Sequence, residues 1–225
     1  MPRAAGALVL DMSTITVLGG NGYTGAAVVS EAISRGHTVT VVSRSLPDAP
    51  VEGVTYITGS ALEADVLAKA FDGADAVVTA TTSRGEASQA APGIAEGLVK
   101  AASASGTPIF VVGGFSSLRP AAGEPRVIEG EVPEQYLAEA QAGQDALEAL
   151  LAAPSDVKWI FFSPAAHYGS WVEGEASGAY KLGGEVMILD PETGTSYLHA
   201  DDLADAILDV IESEENSRGH VSVVS

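Results

Sequence analysis

Three glycines stand at positions 19, 22 and 25 of Gly19-Gly20-Asn21-Gly22-Tyr23-Thr24-Gly25, in the spacing G-x-x-G-x-x-G. The first glycine of such a motif permits a tight turn. The second lets bare backbone approach a pyrophosphate, and the third lets a helix pack on the strand before it. An apolar run, 15–18, precedes the motif and a helical pattern follows. Context as well as spacing therefore fits a strand, turn and helix whose N-terminal amides hold the phosphates of a dinucleotide. A chance glycine-rich turn is the plain alternative. The expected contacts are Gly19, Asn21, Gly22, Tyr23, Thr24 and Gly25.

The end of the second strand decides between cofactors. An acidic residue there hydrogen-bonds the ribose diol, whereas an arginine accommodates the 2′-phosphate. Here the segment reads Val42-Ser43-Arg44-Ser45, without an acid. Ser43 and Arg44 offer a phosphate roughly two to four hydrogen bonds, so NADP(H) is expected in preference to NAD(H). In open α/β sheets ligands bind beyond the carboxyl ends of the strands. By position, Ser60 and Ala61 lie beside the adenine, and Ala80, Thr81 and Thr82 beside the ribose and nicotinamide. Gly113 and the stretch Ser163, Pro164, Ala165 and Ala166 border the reacting end. The polar groups there are Ser116, Ser117 and His167, of which Ser116 and His167 are the catalytic candidates. Turn-stabilising hydroxyls and a histidine satisfied by loop backbone are equally good readings of them.

These residues need a sheet to hold them. Of the short β-branched runs at 15–18, 38–42, 54–57, 76–79, 109–112 and 157–162, most are apolar throughout rather than alternating, as buried parallel strands should be. Between them, helices are expected at 25–35, ended by Gly36, and at 62–71, with Ser60 as its N-cap. Two more are expected at 92–105 and 133–152, each with proline at its first position. After Pro164 come a short apolar run, 186–189, a helix at 201–212 and a last strand at 221–224. The fold class is α/β, a Rossmann-type doubly wound parallel sheet in a single domain over 15–225. Its C-terminal part finishes a substrate pocket, and residues 1–14 form an extension.

Composition narrows the partners. The 225 residues carry a formal net charge of −19, which repels nucleic acid and anionic membranes. A small anionic cofactor is still admissible, because amides and one local arginine act at contact distance. With no cysteine, thiolate metal sites and cysteine nucleophiles are excluded. The expected partner is a small planar electron acceptor, the expected state a monomer or homodimer, and the expected location cytoplasmic, no secretory signal or membrane span being legible. His199, Asp201 and Asp202 superficially suggest a metal cluster. Asp201 or Asp202 as an N-cap explains them better, and no metal is expected.

The stretches VLGGNGYTG, RGHTVTVVSR, FDGADAVVTA, IFVVGGFSSL, WIFFSPAAHYG, GAYKLGG and HADDLADAIL occur in this order. From Ile15 onward the chain resembles the atypical short-chain dehydrogenases/reductases of the NADH-flavin reductase group, akin to NmrA-like and biliverdin-IXβ reductase-type proteins. The resemblance implies that Asn21 to Thr24 cradle the pyrophosphate, that Ser43 and Arg44 take the adenosine phosphate, and that Ser163 to Ala166 border the nicotinamide. It implies hydride transfer. There are two departures: the group's Gly-Asp after the third strand is Gly59-Ser60 here, and the group's name favours NADH where Arg44 favours NADPH.

Ordinary members of that superfamily protonate a carbonyl with a tyrosine backed by a lysine four residues on. Here Tyr136 is followed at the fourth place by Ala140, and Tyr180 and Lys181 are adjacent. Carbinol chemistry is therefore disfavoured, whereas a flavin or quinone delocalises charge and can collect its proton from water. The leading expectation is an NAD(P)H-dependent reductase of a flavin, quinone or similar planar acceptor, with flavin as substrate. A non-catalytic NmrA-like redox sensor acting through a protein partner is the alternative. An NAD-dependent epimerase or dehydratase ranks last.

Overall fold

The computed structural model describes residues 12–81, 90–213 and 218–225. These form one α/β domain of eight strands and five helices. In chain order they are β1 (Thr14–Leu18), α1 (Tyr23–Ser34), β2 (Thr38–Ser43), β3 (Thr55–Thr58), α2 (Ala64–Phe71), β4 (Ala76–Thr79), α3 (Ala91–Ser105) and β5 (Ile109–Val112), followed by α4 (Glu134–Leu151), β6 (Trp159–Pro164), β7 (Lys181–Leu182), α5 (Ala200–Glu212) and β8 (Arg218–Val224). The sheet runs β3-β2-β1-β4-β5-β6-β8-β7, parallel except for β7 at its edge. Chain order reverses direction at β1, next to β4, which opens a crevice beyond the strand tips.

Two cores explain why the central strands are largely apolar. On one face Ile15, Val17 and Phe162 pack with Val28 and Val29 of α1 and Leu203, Ala204 and Ile207 of α5. On the other, Leu18, Val77, Val111 and Phe161 pack with α2, α3 and α4 through Leu67, Leu98, Leu147 and Leu150. Helices α1 and α5 are also clamped by Arg35, whose guanidinium reaches Glu31, Asp205, Asp209 and Glu212.

The structure places the apolar run 186–189 and corrects several local expectations. The run meets Arg119 through an isolated bridge at Val186. Its backbone is taken by the segment after β5, since Arg119 N–H donates to Glu185 O and Met187 N–H to Arg119 O, and the sheet edge goes to Lys181–Leu182. The run at 157 enters β6 only from Trp159, because Val157 N–H closes a turn onto Pro154 O. Ser60 does not cap α2. Its hydroxyl accepts from Leu62 N–H one turn early, while its own N–H donates to the Glu63 carboxylate, and Glu63 is the N-cap residue. Pro92 is the second residue of α3, and Pro133 precedes α4. The cap of α5 is His199, whose ring accepts from Asp201 N–H, not Asp201 or Asp202.

Candidate functional site

The parallel register aligns the carboxyl ends of β1, β2 and β4, with Leu18 opposite both Val42 and Thr79. At the tip of β1, Gly19 has φ +80°, the left-handed region that glycine enters without strain. Gly22 N–H donates to Gly19 O at 3.0 Å and closes the turn. A β-carbon on Gly25 would stand 2.1 Å from Gly19 O, so only glycine lets α1 begin this close to the strand. Gly22, the N-cap of α1, brings no side-chain cap, and the first turn carries no acidic residue. The first-turn amides therefore carry neither a side-chain cap nor an acidic residue of their own turn at the positive end of the helix dipole. This arrangement fits a pyrophosphate.

Beside the turn, Asn21 donates through Nδ2 to Ser43 Oγ at 3.1 Å and to Ser45 O at 3.0 Å. The Ser43 hydroxyl in turn donates to Ser45 O at 2.6 Å. Its proton is thus committed to the protein, and the donor at the end of β2 that stays free is Arg44. Arg44 is exposed and makes no hydrogen bond or ion pair among the described residues.

Along the next tips, Ser60 is part-buried and Ala61 buried. Ala80 N–H donates to Leu18 O, which holds the tip of β4 against the glycine turn. Thr81 Oγ1 lies 3.2 Å from Thr79 Oγ1. Thr82 lies outside the described residues. At β5, Gly113 packs where a β-carbon would enter the Phe161 ring. Ser116 is part-exposed in the 3-10 turn Phe115–Ser117, whereas Ser117 is fully buried and its Oγ has no partner among the described residues.

At β6, Ser163, Pro164 and Ala165 are buried and Ala166 and His167 exposed. The main chain of His167 pairs with Ser196 O and Leu198 N–H, and Ala166 N–H donates to Ser196 Oγ. That pairing hangs the segment after β6 beside the start of α5. No hydrogen bond joins Ser116 to His167 among the described residues. Asp202 is fully buried and accepts from the backbone N–H groups of Ser177 and Gly178 and from the hydroxyls of Ser177 and Ser225. Burial opposes its ionisation, but those hydrogen bonds outweigh it and hold the carboxyl below the usual range.

Two side chains escaped sequence reasoning. Tyr168 places its hydroxyl 2.5 Å from Thr24 Oγ1 and its ring centroid 5.7 Å from that of Tyr23. His220 on β8 sits between Ser163 Oγ, 2.8 Å from Nε2, and Arg126 Nη1, 3.3 Å from Nδ1. Arg126 also bonds Ser117 O and Glu185. Burial, reinforced by the Arg126 charge, pushes His220 down to about 4. Tyr168 lies in the stretch WIFFSPAAHYG and His220 in none of the quoted stretches, but neither is marked by residue type and spacing, and the three-dimensional pairing of strand tips reveals both.

The sequence pattern of the NAD(P)H-binding family matches residues 19–214, which includes the glycine turn and every strand tip just described. The chain belongs to that family. Another sequence like it is the uncharacterized protein YwnB of Bacillus subtilis (strain 168), 31% identical over 94% of this chain and 98% of YwnB. Among solved structures, a "putative exported protein" of Burkholderia pseudomallei is 32% identical with a TM-score of 0.82, covering 95% of this chain and all of that one. A "putative NADH-flavin reductase" of Streptococcus pneumoniae TIGR4 is 27% identical with a TM-score of 0.82, over 95% of this chain and 99% of that one. The glycine turn and the acid-free first turn of α1 lie within the matched residues. Among the described residues no helix is long and apolar enough to cross a membrane.

Proposed function

We propose that this chain is a reductase that takes hydride from NADPH and passes it to a flat acceptor such as a flavin or a quinone. The observation that carries the cofactor half is the exposed Arg44 at the end of β2, without a hydrogen bond or ion pair among the described residues, beside a helix whose first turn has no acidic residue. With the Ser43 proton committed to Ser45 O, recognition of the 2′-phosphate rests on the Arg44 guanidinium. The acceptor half draws support from the flavin-reductase name of the pneumococcal relative and from α4. There Tyr136 is 55% exposed and the fourth place after it is the buried Ala140, so no tyrosine and lysine pair serves carbinol chemistry.

When bound, NADPH supplies the hydride, and water supplies the proton that completes a two-electron reduction of the ring. The protein's tasks are then binding, orientation and exclusion of side reactions. The first-turn amides of α1 hold the diphosphate. Ala80 and Thr81 at β4, Gly113 at β5 and the segment 163–166 border the nicotinamide, with Ser116 and His167 as the polar groups nearest the acceptor. Dependence on a reduced nicotinamide supports a cytoplasmic place of action.

Purified protein is expected to oxidise NADPH when FMN, FAD or a quinone is added. Arg44→Ala is expected to raise the KM for NADPH about tenfold or more while leaving NADH nearly unchanged, the loss of a charge-assisted bidentate contact. NADPH oxidation that stays at the blank rate across the acceptor panel contradicts the enzyme reading. It favours instead a sensor that binds the dinucleotide without turnover. The seclusion of Ser163 on His220 suits that second reading, because it withdraws one hydroxyl from the reacting end.

A further inference from the structure

Among the described residues, one hydrogen bond joins the segment after β6 to the first turn of α1, between the phenol of Tyr168 and Thr24 Oγ1. Tyr168 is part-buried, against the ring of Tyr23 and beside the start of α5, with no other hydrogen-bond partner for its hydroxyl among the described residues. Thr24 is the second residue of α1 and sits one place before Gly25, where the helix is pressed on Gly19. Its side chain and its backbone N–H thus belong to the turn that faces the diphosphate.

We propose that Tyr168 is a positioning residue for the dinucleotide: its phenol donates to Thr24 Oγ1 and so leaves the threonine proton free to donate to a phosphate oxygen. The inference rests on the proposed seating of the dinucleotide at this turn. A hydroxyl is both donor and acceptor, and a chain of two hydroxyls ending on an anion is polarised in one direction, each bond strengthening the next. The reverse order spends the threonine proton on Tyr168 and turns an oxygen lone pair toward the phosphate, which an anion disfavours. Burial raises the phenol above its ordinary value, so it remains a donor throughout the neutral and mildly alkaline range. Because Tyr168 follows Ala166 and His167 directly, the same bond ties the seating of the phosphates to the segment that borders the reacting end.

The test is a double-mutant cycle on binding, with Tyr168→Phe, Thr24→Val and the double variant, read by calorimetry with NADPH and with adenosine 2′-monophosphate, which has no diphosphate. Each single variant is expected to weaken NADPH about fivefold to tenfold, with the double variant no weaker than the worse single one. Adenosine 2′-monophosphate is expected to bind all four proteins alike, which a mere loosening of the fold would not produce. Unchanged NADPH affinity in either single variant, fully additive losses, or equal weakening of adenosine 2′-monophosphate overturns the proposal. A wild-type protein that binds neither NADPH nor NADH is a different result, since it removes the dinucleotide reading along with this one.

Discussion

A methyl group on residue 25 has nowhere to go, because Gly19 O would stand 2.1 Å from it and Gly20 Cα 2.8 Å. Gly25→Ala must therefore push α1 off the tip of β1. The expected cost is about 2 kcal/mol or more in a denaturant titration, together with loss of dinucleotide binding. At His220 the consequence is a pH dependence. Its folded-state value, down to about 4, lies below the ordinary 6.5, so between those limits the unfolded chain holds more protons than the folded one. Stability supplied by the neutral ring is complete above about 6.5 and is lost as pH falls toward 4. Roughly 3 kcal/mol is the ceiling for this effect. Thermal melts from pH 7 to 4 should decline more steeply for the wild type than for His220→Gln, and parallel declines would show that the ring does not carry the effect.

Helices α1 and α5 lie on one face of the sheet and meet at Arg35, 16% exposed and shared by four carboxylates. Removal of the guanidinium leaves those acids facing one another. Arg35→Met should destabilise the fold by roughly 2 kcal/mol at low salt, less in strong salt, as urea titrations at the two ionic strengths would reveal. Helix α4 offers the opposite case. A β-carbon on Gly143 would meet Gly114 N and Ser117 Oγ at 3.8 Å, an ordinary contact, so Gly143→Ala should stabilise by about 0.5–1 kcal/mol as judged by its melting temperature. Elements of this kind were legible where burial is two-sided. Strand β5 is apolar throughout, and β1 and β4 are so apart from Thr14, Thr16 and Thr79, because helices cover both faces. The run 186–189 stayed without an assigned element, since apolar character alone does not distinguish a strand from a half-buried segment paired through a few main-chain bonds to residue 119. Strand β8 begins at Arg218, three residues before its apolar part, and its polar start carries no strand signal.

Over the whole molecule, the site was legible in proportion to how local it is. The glycine turn and Arg44 lie within single stretches of sequence whose geometry follows from residue type. The Ser43 proton was not legible as spent, because Ser45 O accepts it through a bend of the backbone that composition does not reveal. Tyr168 and His220 were invisible for a stronger reason. They reach the strand tips from 144 and 57 residues away in sequence, brought there by the sheet order and not by any spacing. The charge of −19 sets the remaining condition, since the cofactor must be held by contact-range donors against a repulsive average field. Calorimetry of the wild-type protein with NADPH and NADH measures that balance directly. Saturable binding of NADPH, tighter than NADH and accompanied by a raised melting temperature, is the expected result. No heat and no thermal protection from either nucleotide would contradict the account.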